Sequence, residues 1–166
     1  MVFAISSAPT GDRAPEIHCK RIEAKDTLTL RQSVLWPDKN LAFVQLLEDD
    51  TGIHLGAFLM TEAPVAIISL FTENIPHDTE IPPGLHMGRT VRFRKFACDA
   101  KYQHKGIGSQ LLEYAVSFAR SHMSGALLWC DARTTTLVWY QKRGFKEFGE
   151  RFYKGPVEYV RVRREL

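Results

Sequence analysis

The chain has 166 residues, the ordinary length of one globular domain, and 45% of them are hydrophobic, enough for a buried core. Its 22 Lys and Arg nearly balance its 19 Asp and Glu, so the formal net charge is only +3. This composition excludes a strongly basic nucleic-acid-binding tail and an acidic disordered chain.

The small net charge hides a division along the chain. Residues 1–88 contain 6 Lys/Arg and 12 Asp/Glu, a net charge of −6, whereas residues 89–166 contain 16 and 7, a net charge of +9. Two surfaces of opposite sign on one small domain favour two different ligands, although solvated surface charge would give the same pattern.

The sequence has no sign of a membrane span, a secretion signal or a metal site. No apolar run approaches the ~18 residues that cross a bilayer. Residues 1–15 lack a basic segment and are predicted to be a flexible arm ahead of a single domain at 16–166. Cys19, Cys98 and Cys130 form no CxxC pair, which disfavours metal binding and disulfides. We therefore expect a cytoplasmic protein, with the nucleus left open, that uses no metal and no membrane.

The first half of the chain predicts a strand, a helix and a hairpin. Weak alternation over residues 16–22 favours a strand, and the apolar spacing over 27–36 is typical of a helix with Asp26 as its N-cap. Two apolar runs at 54–60 and 64–71 are separated by three residues, which predicts a hairpin of buried strands.

A long loop and an irregular strand follow. Residues 74–86 are polar, contain prolines and lack periodicity, so a binding role is plausible there. In the strand at 89–98, Val91 and Phe93 occupy odd positions whereas Phe96 and Cys98 occupy even ones. One extra residue near Arg94 and Lys95, a β-bulge, would return all four side chains to one face.

The last third alternates helices and strands. An amphipathic helix begins at Ile107, and a second, short helix ends at Gly144. A buried strand at 126–130 follows the first helix, so it should lie parallel to the strand at 89–98. Strands at 145–153 and 157–163 complete an α/β fold with a mixed, mainly antiparallel sheet and helices on both faces.

The turn before the amphipathic helix has the features of an anion-binding turn. Gly106 and Gly108 allow a ligand close to the backbone, and the first turn of the helix offers unpaired amides. The pattern matches neither GxxxxGK[ST] nor GxGxxG, which disfavours a nucleoside triphosphate with Mg²⁺ and a nicotinamide dinucleotide. A tight turn without a ligand stays the alternative interpretation.

The segment Gln103-His104-Lys105-Gly106-Ile107-Gly108 fits the [QR]xxGx[GA] signature of the GNAT superfamily of acyl-CoA-dependent N-acetyltransferases. The segment WYQKRGF at 139–145 also resembles that family, as does the order of elements from about residue 16 to 166. The resemblance implies a sheet of six or seven strands with a bulged central strand.

The resemblance also implies a site. Tyr140 would act as the general acid that protonates the leaving thiolate. Arg133 stands where many relatives have Asn and would bind a phosphate of coenzyme A or a carboxylate of the acceptor. The remaining residues implied to bind acetyl-CoA are Phe96, Ala97 and Cys98 along the pantetheine arm, and Gln103, His104, Lys105, Gly106, Ile107, Gly108 and Ser109 around the pyrophosphate.

The general base and the acceptor substrate are less clearly defined by the sequence than the site for acetyl-CoA. Glu73 and Asp131 are the candidate bases, with a water relay as the alternative, because the bulged strand carries basic residues where many relatives have Glu. Arg31 borders the acceptor cleft of the resembled fold, where it would grip a carboxylate or form a structural ion pair. The acidic first half favours a cationic acceptor.

Together these features predict transfer of an acetyl group from acetyl-CoA to a primary amine of a small molecule or peptide, by direct attack. A catalytically silent acyl-CoA-binding module is the alternative. Nucleic-acid binding through Arg89, Arg92, Arg94 and Lys95 is disfavoured, since no RNA-binding aromatic motif accompanies them. The acceptor, the acyl chain length and the oligomeric state stay open, a homodimer included.

Overall fold

The protein, described here from a computed structural model, is built on a seven-stranded sheet. The structure describes residues 16–85 and 88–166, so the predicted arm at 1–15 and the last residue of the predicted loop, His86, lie outside it. The strands are β1 (Ile17–Ile22), β2 (Ile53–Leu59), β3 (Ala66–Thr72), β4 (Thr90–Cys98), β5 (Leu127–Arg133), β6 (Lys146–Lys154) and β7 (Val157–Glu165).

The strand order across the sheet is β1-β2-β3-β4-β5-β7-β6. Neighbouring strands are antiparallel except β4 and β5, which run parallel and are joined through a helix. This confirms the predicted mixed, mainly antiparallel sheet. The predicted hairpin is β2 and β3, and the two predicted C-terminal strands are β6 and β7.

Helices cover both faces of the sheet, as predicted. The helix α3 (Ile107–Met123) lies on one face, where Leu111, Leu112, Ala115 and Ala119 are fully buried. Each leucine buried in this way stabilises the fold by roughly 1.5–3 kcal/mol. The helix α4 (Leu137–Gln141) follows β5. No helix among residues 16–85 and 88–166 is long and apolar enough to cross a membrane.

The opposite face carries the first helical segment, residues 24–35. It consists of a 3₁₀ turn (Ala24–Thr27), an α-helical turn α1 (Leu28–Leu30) and a wide π turn (Arg31–Leu35). The predicted start at Thr27 with Asp26 as N-cap was wrong. Asp26 is the third residue of the helical segment, and its carboxylate accepts a hydrogen bond of 3.0 Å from the Glu23 amide. The segment therefore begins one turn earlier than predicted.

Two further features of this face differ from the sequence-based expectation. A short helix α2 (Leu41–Val44), which the sequence did not predict, follows the first segment. The loop after β3 packs against the sheet, because Ile75, Ile81 and Leu85 cover Leu127 and Trp129. This part of the predicted binding loop therefore fills a small apolar core.

The bulge in β4 is where the sequence predicted it. Ile67 pairs with Ala97, but Ser69 pairs with Arg94, so β4 uses one more residue than β3 over this stretch. Lys95 has a φ of +56°, a left-handed conformation that costs a non-glycine residue roughly 1–2 kcal/mol. The extra residue turns Phe96 toward the face that Val91 and Phe93 occupy.

Arg31 lies at the centre of a buried polar network on the helical-segment face. Its guanidinium, which is 0% exposed, donates two hydrogen bonds to the Asp49 carboxylate, of 2.7 and 2.9 Å. It also donates to the Val44 carbonyl and to the Ser69 hydroxyl, which lies 2.8 Å from Nδ1 of His54. Of the two predicted roles for Arg31, the structure shows the ion pair, and burial prevents the side chain from gripping an acceptor.

Arg31→Met is expected to lower the free energy of unfolding by about 3–5 kcal/mol, because it leaves the Asp49 charge buried and unpaired. The control is Arg151→Met. That side chain is 52% exposed and lies 3.5 Å from Glu158, so its loss should cost less than about 1 kcal/mol. Urea denaturation measures both, and equal losses in the two variants would contradict the assignment.

The ion pair between Arg31 and Asp49 also predicts that the protein loses stability in acid. Burial raises the pKa of Asp49, but hydrogen bonds from Arg31 and the Leu46 amide outweigh burial and lower it below the usual 3.8. The stabilisation is therefore present above about pH 4 and is lost as the pH falls through the lowered pKa. Unfolding curves between pH 2 and 7 should show that Arg31→Met removes this acid-dependent loss.

Candidate active site

A cleft opens where β4 and β5 separate. The two strands pair only from Thr90 to Arg92 and from Leu127 to Trp129. Beyond that point lies a cavity of about 530 Å³ between β4, α3 and α4. It is lined by Phe96, Ala97, Cys98, Gln103, His104, Gly106, Gly108, Ser109, Thr136, Trp139, Tyr140 and Arg143.

The glycine-containing turn forms one wall of this cleft. His104 and Gly106 both adopt left-handed conformations, with φ of +60° and +82°, and α3 begins directly afterwards. A Cβ at Gly106 would meet nothing within 4 Å, so the backbone conformation and not space requires glycine. Gly106, Gly108 and Ser109 line the cavity, so the first turn of α3, whose amides have no partner within a helix, lies beside it.

Arg143 is a cleft residue that the sequence analysis did not single out. Its guanidinium donates hydrogen bonds of 2.6 and 3.0 Å to the Ser109 hydroxyl at the start of α3, and one of 2.8 Å to the Trp139 carbonyl. It also stacks on the Trp139 ring at 3.7 Å. The spacing of Thr136, Tyr140 and Arg143 places them on one helical face, a pattern from which Arg143 could have been found.

Tyr140 occupies the inner end of the cleft. Its ring packs between Phe93 and Phe145, at centroid distances of 5.9 and 5.6 Å, and only 9% of the residue is exposed. Burial raises the pKa of Tyr140 well above its usual 10, and the neighbouring Cys130 thiol raises it further. Burial likewise raises the pKa of Cys130, so this thiol is protonated and unsuited to act as a nucleophile.

Three predicted coenzyme-binding residues do not place their side chains in the cleft. Ile107 is 2% exposed and packs in the core, so only its amide can face a ligand. The Lys105 ammonium lies over the Tyr102 ring, 5.6 Å from its centroid. Arg133 is exposed at the end of β5 and is not among the residues that line the cavity.

Both candidate bases are engaged in ion pairs on the opposite face of the sheet. The Glu73 and Asp131 carboxylates each accept a hydrogen bond of 2.5 Å from the two ends of the Arg92 guanidinium. Asp131 also accepts one of 2.8 Å from Lys154. Their lone pairs are therefore directed at cations rather than toward the cleft.

Comparison with known proteins identifies the family. A family model described as an acetyltransferase (GNAT) domain matches residues 56–147, more than half of the chain. The chain belongs to the GNAT acetyltransferase family. This confirms the resemblance found in the sequence and makes the protein an acetyltransferase of a family that uses acetyl-CoA.

Individual relatives agree with membership of the GNAT family. The uncharacterised N-acetyltransferase YitI of Bacillus subtilis (strain 168) is 29% identical over 139 residues, which cover 82% of this chain and 87% of YitI. An IAA acetyltransferase from Bacillus cereus ATCC 14579 superposes with a TM-score of 0.65 at 19% identity, over 91% of this chain and 100% of that one.

A GNAT family acetyltransferase from Elizabethkingia anophelis, whose crystal structure holds acetyl-CoA, superposes with a TM-score of 0.60 at 21% identity. The match covers 90% of this chain and 98% of that one. At these identities the likeness to solved structures shows the GNAT fold.

Tyr140 is expected to keep its proton at pH values where exposed phenols, with pKa values near about 10, ionise. An ultraviolet titration of Tyr140→Phe should therefore follow that of the wild type until the protein unfolds. The control is Tyr153→Phe, which removes a ring that is 68% exposed. A missing ionisation step in Tyr140→Phe near pH 10 would contradict the burial argument.

Proposed function

We propose that this protein transfers the acetyl group of acetyl-CoA to a primary amine of a small molecule or peptide, with residues 16–166 acting as one domain. The observation that carries the proposal is the placement of Tyr140 in the same cleft as the first turn of α3. A candidate proton donor and a helix start that would bind an anion therefore line one cavity between the separated strands β4 and β5.

The residues that line the cleft support binding of acetyl-CoA by their chemistry. The backbone of Phe96, Ala97 and Cys98 lies beyond the bulge and forms the edge of the opening, where it would pair with the amides of the pantetheine arm. The turn at 103–109 would bind the pyrophosphate. Arg143 adds a positive charge beside Ser109, and we assign it to the phosphates or to the adjacent carbonyl groups.

Acetyl transfer then needs one new bond and three proton movements. The amine nitrogen attacks the thioester carbon, so a C–N bond forms and the C–S bond breaks. Tyr140 donates its proton to the departing sulfur, the nitrogen releases a proton to water, and Tyr140 regains a proton from water, so no net proton is released. Because burial keeps Tyr140 protonated, the donor is available across the physiological pH range.

We assign removal of the amine proton to water rather than to Glu73. The Glu73 carboxylate already accepts a short hydrogen bond from Arg92, and Asp131 accepts bonds from Arg92 and Lys154. Water in the open cleft would accept this proton without breaking either ion pair. The candidates from the sequence therefore serve to hold Arg92.

Tyr140→Phe is expected to lower kcat by about 10²- to 10⁴-fold, the range for loss of a general acid, and to leave the Kd of acetyl-CoA unchanged. Release of coenzyme A with a panel of amines measures kcat, and Tyr153→Phe is the control. Full activity in Tyr140→Phe would remove this residue from the mechanism. If no amine is acetylated by the wild type while acetyl-CoA binds, the protein is a silent binding module.

Arg143→Gln is expected to weaken acetyl-CoA binding by about 10-fold or more, the size of one lost charge-assisted hydrogen bond. Calorimetry measures the Kd directly. Arg133→Gln is the matched control and should bind like the wild type, because Arg133 does not line the cavity. Weakening confined to Arg133→Gln would restore the role that the sequence suggested for it.

A further inference from the structure

The face of the sheet opposite α3 carries a cluster of charged side chains at the point where β4 and β5 separate. We call it the charged cluster. Its acids are Glu48, Glu73 and Asp131, and its cations are Arg92, Arg94, Lys95, Lys154 and Arg161. Five cations against three acids leave an excess of positive charge on this face.

The acids neutralise the inner part of the cluster. Asp131 is 10% exposed and lies within 4 Å of Arg92, Lys154 and Arg161. Glu73 forms the second short pair with Arg92. Arg92 itself is 18% exposed and stacks on Trp129 at 4.7 Å. These contacts make Arg92 a structural group whose charge is already compensated.

Arg94 and Lys95, at the bulge, are left without a hydrogen-bonded acid. Arg94 approaches Glu48 at 3.6 Å and Glu73 at 4.0 Å, both longer than a hydrogen bond. Lys95 takes part in no ion pair among residues 16–85 and 88–166. Among the described residues Lys95 therefore has no acidic partner, and Arg94 beside it has only the two long ion pairs with Glu48 and Glu73.

Aromatic rings hold both side chains in place. The Arg94 guanidinium lies over the Phe71 ring at 5.4 Å, and the Lys95 ammonium lies over the Trp36 ring at 4.1 Å. Such contacts reduce the number of conformations that each cation must give up when it binds an anion. The pair is thus preorganised before any ligand arrives.

The surroundings of Lys95 have a positive potential. Burial, together with the charges of Arg94, Arg31, Lys154 and Arg92, lowers the pKa of Lys95 from 10.5 to about 8. The charged groups that act on this ammonium are cations from the first helical segment, β4 and β6. An anion bound here would relieve their repulsion.

Arg94 and Lys95 lie close in the chain to the residues that face the reacting groups. Val91, Phe93 and Cys130 face α3 and Tyr140, whereas Arg92 and Trp129 alternate to the other face. Lys95 directly precedes Phe96, the first residue of β4 that lines the cleft. An amine that reaches the thioester from the face opposite Tyr140 would therefore pass Arg94 and Lys95.

We propose that Arg94 and Lys95 bind a carboxylate of the acceptor, so that the acceptor is an amino acid or a short amino carboxylate. The inference rests on the proposed acetylation of an amine and names the class of that amine. It replaces the cationic acceptor expected from the acidic first half of the sequence. In the charged cluster, the acids that come from the first half of the sequence are Glu48 and Glu73, and both face arginine side chains.

The test compares amines that differ only in the carboxylate. The pairs are L-phenylalanine with phenethylamine, L-lysine with cadaverine, and L-methionine with 3-(methylthio)propylamine. We expect at least one amino acid to be acetylated with a kcat/KM about 10- to 100-fold above that of its decarboxylated partner, the value of a hydrogen bond to a charged group. Equal or higher values for all decarboxylated amines would overturn the inference and leave the proposed function intact.

Variants connect this selectivity to the two cations. Lys95→Met and Arg94→Gln should raise KM for the amino acid about 10-fold or more, reduce the preference for the carboxylate and leave the Kd of acetyl-CoA unchanged. Lys95→Arg should retain the preference. The control is Lys20→Met, which removes a lysine held over the Phe58 ring at 4.5 Å on the distant β1 strand.

The outcomes separate the two proposals. A weaker Kd for acetyl-CoA in Lys95→Met, with the amine preference unchanged, would assign the pair to coenzyme A and overturn the inference. Failure of the wild type to acetylate any amine while acetyl-CoA binds would overturn the proposed function and the inference with it. Above pH 8 the carboxylate preference should decline in the wild type but persist in Lys95→Arg, since arginine keeps its charge.

Discussion

The extra residue in β4 determines how the rest of the site is arranged. Before it, Val91 and Phe93 point into the core under α3, and after it Phe96 turns into the cleft, where its ring lies 5.9 Å from that of Trp139. A regular strand would direct Phe96 to the other face. Lys95 accepts the left-handed backbone that this requires, a cost of roughly 1–2 kcal/mol that the surrounding sheet must offset. Strain in one residue therefore opens a ligand-sized gap in an otherwise continuous sheet.

Some of the unequal charges of the two halves of the chain pair across the halves. Asp49 neutralises Arg31 within the first half, whereas Glu73 pairs with Arg92 of the second half. Glu48 approaches Arg94 in the same way. Among the residues that the structure describes, no acid of the first half lines the cleft. The formal charge of a segment counts its ionised side chains, but the fold determines which of these charges remain unpaired.

Local patterns in the sequence predicted much of the fold, because the features concerned depend on near neighbours. The change of parity in β4 located the bulge, and the two glycines located the turn before α3. Contacts between residues that are far apart in the sequence could not be predicted. Arg31 meets Asp49 and Ser69 only in the folded chain, and Arg143 meets Ser109 across 34 positions. The early start of the first helix was missed because Glu23 and Asp26 reverse the usual capping residues.

The strand order has a consequence for synthesis of the protein. β7, the last strand, lies between β5 and β6, so β6 has no place in the sheet until residues 157–165 exist. A growing chain on the ribosome can form β1 to β5 and α3, but β5 then has an exposed edge of unpaired backbone groups from Leu127 to Arg133. Such an edge can pair with other chains. Emergence of residues 157–165 from the ribosomal tunnel is therefore the step that covers this edge of β5.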